Sequence, residues 1–485
     1  MKQSEVTTDT ATSVERIETD LCVIGAGSGG LSVASGAVQM GARVVLIEGH
    51  KMGGDCLNYG CVPSKALIAA AKQAHAMETG RPYGVTPVSP EVDYAAAKDH
   101  VASAIATIAP HDSEERFEGL GVRVIRDYAR FVSRTEVQAG RAVITARRFV
   151  VAAGSSPFVP PIPGIEETPH HTNETIFELR ERPDHLVIIG GGPIGLEMAQ
   201  AHVRLGSDVT VVEAAKAMGK DDPELAAIVL ESLRAEGVEI IEGQGAAKVS
   251  GSEGAISVEL ADGRTVEGTH LLIAVGRKVN IERLDLDAAG VAHDRAVKVG
   301  ADLRSVSNRR VYAVGDAAGG LQFTHVAGYH AGVVIRSAIL GLPAKQRTDH
   351  IPWVTYTDPE LAQVGLTEAE AKKKFGGGLD VVRAEFSGND RAIAEGRTTG
   401  FVKVMVVKGR PVGASIVGPQ AGELIQIWAL AIANRLKMTA IANMVAPYPT
   451  LGEVNKRAAS AYFSPKLFES PMVKRVVGLV QRWLP

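Results

Sequence analysis

One pattern occurs twice in this chain and narrows its possible folds more than any other feature. Asp20–Glu48 opens DLCVIGAGSGG and closes ARVVLIE, while His185–Glu213 opens HLVIIGGGPIG and closes SDVTVVE. Each copy is an apolar run, a trio of glycines, a helical stretch, a second apolar run and a terminal acid. The first glycine and the acid lie 23 positions apart in both copies, Gly25 to Glu48 and Gly190 to Glu213. Apolar runs that read as buried parallel strands are Leu21–Ile24, Val44–Ile47, Leu186–Ile189, Val209–Val212, Leu271–Val275 and Val311–Val314. Strand–glycine–helix alternation marks doubly wound α/β domains. Two domains of one design are expected in tandem.

Within each copy the residue types suit a dinucleotide. Gly25, Gly27 and Gly30 form G-x-G-x-x-G between a strand and a helix. The first glycine allows the tight turn, the second lets the backbone approach a pyrophosphate, and the third lets helix and strand pack closely. The helix N-terminus offers N–H groups and a positive dipole end to the phosphates. A glycine-rich turn alone would be a weak signal; strand, glycines, helix and Glu48 in order make it a strong one. The second copy uses Gly190, Gly192, Gly195 and Glu213, with Pro193 suited to the first helical turn. A carboxylate at Glu213 binds a ribose 2′-hydroxyl and repels a 2′-phosphate, which favours NADH over NADPH.

Composition bounds the remainder. At 485 residues the chain exceeds one compact core and suggests about three or four domains. A net charge of −3 leaves no electrostatic footprint for nucleic acid. Met1–Asp20 is polar and has no signal-peptide core, and no apolar run reaches the roughly 18 residues of a membrane span. A cytoplasmic protein is expected. The cysteines are Cys22, Cys56 and Cys61, too few for a secreted disulfide framework. Cys22 lies in a strand pattern and reads as core. His75 and His111 have no partner at metal-ligand spacing, and no metal site is expected.

Gly53–Lys65 reads GGDCLNYGCVPSK and carries the chemistry. On a regular helix, side chains five apart are about 140° out of line, so a Cys56–Cys61 bridge needs local distortion near Gly60. The alternatives are a catalytic pair, a metal pair and inert buried thiols; zinc would need two further ligands, which the sequence does not offer at suitable spacing.

This segment resembles the active-site segment of the class I flavoprotein disulfide reductases, which include dihydrolipoamide dehydrogenase, glutathione reductase and mercuric reductase. The resemblance runs from about Asp20 to Phe463 and includes AAGSSP at Ala152–Pro157, AVGR at Ala274–Arg277, VYAVGD at Val311–Asp316 and YTDPELAQVGLTE at Tyr356–Glu368. It implies FAD on Gly25, Gly27, Ser28, Gly30, Glu48, Gly54, Lys65, Ala129, Gly154, Asp316 and Thr324. It implies the nicotinamide cofactor on Gly190, Gly192, Pro193, Ile194, Gly195, Glu213, Val249 and Gly276. By the same resemblance Cys61 faces the flavin, Cys56 is the interchange thiol, and Lys65 lies beside the flavin paired with Glu197. Residues 1–160 and 286–349 would form the FAD-binding domain, 161–285 the NAD(P)-binding domain and 350–465 a dimerisation domain, in a homodimer with shared active sites.

The chain also departs from the family pattern. Disulfide-reducing members carry H-x-H-P-T-x-x-E, but Ala446–Glu453 reads APYPTLGE, keeping Glu453 and placing Tyr448 where the acid/base histidine belongs. A tyrosine near pKa 10 is only about 0.1% ionised at pH 7 and is a poor base. Mercuric reductases also carry Tyr here, yet they usually add a late vicinal cysteine pair, and no Cys follows Cys61. Asp55 replaces the usual Thr and is expected to raise the Cys56 pKa. His325 and His330 read as flavin neighbours or packed helix residues. The expected function is electron transfer from a nicotinamide through FAD and Cys56–Cys61 to a thiol/disulfide or soft-metal acceptor. Mercuric-ion reductase, dihydrolipoamide dehydrogenase and a binding subunit with structural FAD are the alternatives. Residues 466–485 read as a basic amphipathic helix, packed on its own dimer or in weak peripheral contact with a membrane.

Overall fold

The computed structural model describes residues 14–484, so most of the polar leader, Met1–Ser13, lies outside the described residues. The chain divides into two compact units, the first comprising Met1–Val62, Ala104–Ser156 and Arg277–Gln346, the second Pro63–Ser103, Pro157–Gly276 and Arg347–Pro485.

The first unit is built on a seven-stranded sheet. Strands β1 (Glu15–Ile24) and β2 (Val44–Ile47) run parallel beside Arg123–Ile125 and Ala142–Val151. Glu136–Ala139 and Ala129–Ser133 extend the sheet antiparallel, and Val311–Ala313 adds to Ala142–Val151 in parallel. Alternate residues of β1 enter different cores. Leu21 and Val23 pack with Leu31, Ala34 and Tyr312, whereas Cys22 and Ile24 pack with Phe131, Phe149 and Leu286. A strand covered on both faces must be apolar throughout, which is why it reads as an unbroken run rather than an alternation. Helix α1 (Ser28–Gln39) follows β1.

The second unit holds the repeat of this design as a four-stranded parallel sheet, ordered Glu239–Glu242, Asp208–Glu213, His185–Ile189, His270–Ile273. The strand expected over Leu271–Val275 stops at Ile273; Gly276, with φ +145°, takes the backbone where L-residues rarely go. A five-stranded antiparallel sheet, ordered Pro352–Thr355, Glu360–Gly365, Arg410–Gly418, Phe401–Val407, Leu379–Glu385, carries the α+β part. Its core gathers around fully buried Trp428, whose indole N–H donates to Asn455 at 2.7 Å. The helix expected over Ala421–Ile432 is interrupted by a turn at Ile425, giving Ala421–Leu424 and Gln426–Ala433. Ile425 keeps right-handed helical dihedrals, so apolar periodicity runs through the break unmarked. Among the described residues no helix is long and apolar enough to cross a membrane.

Candidate active site

The glycine turns explain their own sequence. At Gly25 the backbone has φ +106°, and a Cβ would lie 2.3 Å from the Ala152 carbonyl oxygen; at Gly190 φ is +118°, with the Ala274 carbonyl at 2.4 Å. A Cβ on Gly30 would strike the Gly25 oxygen at 1.8 Å, and one on Gly195 the Gly190 oxygen at 2.0 Å. The third glycine is therefore fixed by the carbonyl of the first. Gly27 and Gly192 cap α1 and the helix Pro193–Arg204 with no side-chain cap, which leaves first-turn N–H groups open. The acids close both turns in the same manner. Glu48 accepts from Ala26 N–H and His50 N–H, each at 2.7 Å, and Glu213 from Gly191 N–H and Ala215 N–H, each at 2.8 Å. Each carboxylate keeps lone pairs for a further donor.

In the first unit Gly54 packs against the first turn, its hypothetical Cβ 2.6 Å from Gly27 Cα. It opens α2 (Gly54–Asn58), which carries Cys56; α3 (Cys61–Glu78) begins with Cys61 after a break at Tyr59 and Gly60. The break supplies the distortion a regular helix lacks. Gly60 is required there for room, because a Cβ would meet the Asp55 carboxylate at 2.8 Å. Cys61 Sγ lies 3.3 Å from Thr324 Oγ1, at the first residue of the helix Thr324–Val334, whose positive dipole end favours a thiolate. The Cys56 thiol is pushed well up, first by its hydrogen bond to Cys61, then by burial and the Cys61 charge; hydroxyls of Thr324 and Ser28 act against this. The direction matches the expectation from Asp55, but the cause differs. Asp55 is ion-paired with Arg277 at 2.9 Å. Arg277 also donates to the Ser155 hydroxyl (2.7 Å) and carbonyl (2.6 Å), and the Ser155 hydroxyl donates to Asp316. Burial holds the Asp316 carboxyl above its ordinary value, partly offset by Ser155 and Arg277. The Gly154 position, φ +65°, faces open space, whereas Ala129 is buried in its strand.

In the second unit, Lys65 stands on the part of α3 that begins at Pro63. Its ammonium pairs with Glu197 at 2.7 Å and sits 4.3 Å from the Tyr356 ring centroid. Glu197 is 5% exposed, and its other oxygen accepts the Tyr356 N–H at 2.9 Å. Ile194 is exposed, but Val249 is wholly buried with Ile165, Val187 and Val258, and its N–H is taken by the Pro163 carbonyl. Tyr448 is 70% exposed and donates to Asp390 at 2.9 Å, which raises its pKa further. Glu453 heads the helix Glu453–Ala461, with a buried oxygen that has no partner among the described residues. The Tyr448 hydroxyl is thus given to Asp390 and not to Glu453. His330 is buried and accepts the Gly315 N–H, His325 stacks on Phe323, and Cys22 is core.

Residues 19–331 match the family described as pyridine nucleotide-disulphide oxidoreductase, and residues 351–459 match its dimerisation domain. The chain belongs to the pyridine nucleotide-disulphide oxidoreductase family. It is 36% identical over 459 residues to the mercuric reductase of Acidithiobacillus ferrooxidans, covering 92% of this chain and 83% of that one. Against the dihydrolipoyl dehydrogenase of Geobacillus stearothermophilus it is 33% identical over 459 residues, covering 91% and 96%. Among solved structures it resembles the Cu(II) complex of the HOCl-induced flavoprotein disulfide reductase RclA from Escherichia coli. That match has a TM-score of 0.81 and 27% identity, over 91% of this chain and 99% of that chain.

The chain is thus an FAD- and pyridine nucleotide-dependent oxidoreductase of this family. Each unit by itself fits such a cofactor: the first has a glycine cradle with an uncapped helix N-terminus, open space at Gly154 and a buried carboxyl at Asp316, and the second has a glycine cradle with an uncapped helix N-terminus. Sequence reasoning missed Ser155, Arg277 and Tyr356. All three lay inside recognised motifs, AAGSSP, AVGR and YTDPELAQVGLTE, so the signal was present; only three-dimensional contact reveals that Arg277 meets Asp55.

Proposed function

We propose that this chain is a homodimeric, cytoplasmic NADH-dependent flavoenzyme that reduces a soft, thiophilic metal ion through Cys56 and Cys61. Residues 1–160 and 286–349 bind FAD, 161–285 the nicotinamide cofactor, and 350–465 the second subunit, which completes each active site. Bound FAD supplies hydride acceptance from NADH and two-electron delivery to the Cys56–Cys61 disulfide. The protein's part is to hold and charge the sulfurs. Cleaving the S–S bond with two electrons and one proton leaves a thiolate at Cys61, favoured by Thr324 and its helix N-terminus, and a thiol at Cys56. Lys65 brings positive charge, fixed in place by Glu197. Asp316 and the glycine turn hold the ribityl chain and pyrophosphate. Glu213 accepts from a ribose 2′-hydroxyl and repels a 2′-phosphate, which favours NADH.

The observation that carries the choice of acceptor is the engagement of Tyr448 with Asp390, away from any base role. Thiol–disulfide exchange needs a group that takes and returns a proton near neutral pH. A soft metal ion that binds both sulfurs displaces the Cys56 proton to solvent, and no positioned group has to take and return it. With mercuric ion the balance is NADH + Hg²⁺ → NAD⁺ + H⁺ + Hg⁰. The mercuric reductase relatives and the copper complex of RclA support this reading. Steady-state NADH oxidation with mercuric ion, cupric ion, lipoamide and oxidised glutathione tests it. Metal-dependent kcat/KM is expected to exceed that for lipoamide by about 100-fold, the scale of a lost acid/base group. The same assay with NADPH in place of NADH is expected to run at least about tenfold slower. Faster lipoamide turnover, unchanged by Tyr448→Phe, would overturn the proposal.

A further inference from the structure

The last described helix, Pro471–Trp483, takes no part in the chemistry above. Its start is written in the sequence: Pro471 occupies the first turn, and the Ser470 hydroxyl accepts the Val473 N–H. None of its residues is buried. At 100° per residue, its apolar residues from Met472 to Trp483 fall within one continuous arc of roughly 160°. That arc is open to solvent, with Met472 74% and Trp483 81% exposed. The opposite arc carries Lys474, Arg475 and Arg482, and Pro471–Leu484 contains no acidic residue.

A second copy of the chain would be the ordinary cover for such a face. The family's dimerisation domain, however, matches residues 351–459, and the core of the antiparallel sheet domain takes in Tyr462 and Phe463 but nothing beyond them. The helix therefore lies past both. A wide apolar arc ending in Trp, backed by a polar arc whose only charges are the cations Lys474, Arg475 and Arg482, is complementary to a surface with an apolar interior and an anionic skin. We propose that the helix Pro471–Trp483 lies in the plane of an anionic lipid bilayer and seats the enzyme on the membrane surface. Trp483 and Met472 enter the acyl boundary, while Lys474, Arg475 and Arg482 remain among the headgroups.

Co-sedimentation of the full FAD-loaded chain with vesicles tests this. Vesicles holding about 30 mol% phosphatidylglycerol should bring down at least about tenfold more protein than pure phosphatidylcholine vesicles. Binding should fall with added salt. A chain ending at Glu469 should lose the binding. So should Lys474→Glu/Arg475→Glu/Arg482→Glu, which keeps every apolar residue and guards against misfolding of the shortened chain. Equal sedimentation with and without the helix overturns the proposal. Conversion of the shortened chain to monomers, seen by light scattering, also overturns it, because the helix would then be a subunit-packing segment.

Discussion

A carboxylate one residue before a reactive thiol is a liability unless its charge is met. Asp55 meets it through Arg277, which spans from the cysteine segment to Ser155 and, through that hydroxyl, to Asp316. In Arg277→Gln the Asp55 carboxylate loses its Arg277 ion pair beside Cys56. Alkylation of Cys56 by iodoacetamide in the NADH-reduced protein is then expected to slow about tenfold, the effect of one pKa unit. The double variant Asp55→Asn/Arg277→Gln should restore the rate; an unaltered rate in the single variant would show the pair to be irrelevant to the thiol. The identities of Cys56, Cys61, Lys65 and Glu197 were legible because a motif or a resemblance announces them. The Asp55–Arg277 pair was not, since two charges far apart in the chain carry no local signal of contact. Tyr448 was legible as a departure, but its turn toward Asp390 was not.

Elements were the most legible level. Strands such as Val44–Ile47 and Phe401–Val407 lie where their apolar runs predict, because continuous burial on both faces or packing on one leaves a direct imprint on composition. The break at Ile425 and the early stop at Ile273 escaped, since neither changes the apolar pattern. The repeated turn yields a separable prediction. A Cβ at residue 195 would sit 2.0 Å from the Gly190 carbonyl oxygen, in the second unit alone. Gly195→Ala should therefore retain FAD and its dithionite-reducible absorbance, yet lose at least about 100-fold in kcat/KM for NADH, a distortion worth about 3 kcal/mol. Loss of FAD from this variant would mean that the two cradles are not independent.

At the scale of the molecule, folding stability carries a buried cation that the chemistry does not use. Lys98 is 2% exposed, donates to the Ile176 carbonyl and lies against Tyr94 and Phe177; burial pushes its pKa down to about 7. Unfolded, the same amine titrates near 10.4. Between those values the unfolded chain holds the extra proton, so stability should rise with pH, by up to about 1 kcal/mol per unit, and level off beyond either end. Lys98→Met should flatten that rise in denaturant titrations at pH 7.5 and 9; an unchanged slope would place the effect elsewhere. The fold class was readable at this scale because a duplicated motif leaves few alternatives. The central claim is that two adjacent thiols, one charged at Cys61, receive electrons from a flavin. Anaerobic titration of the FAD-loaded protein with NADH tests it most directly. The account predicts a long-wavelength charge-transfer band that appears before the flavin bleaches and is absent in Cys61→Ser. Direct bleaching without the band, with both thiols unchanged in titre, would contradict it.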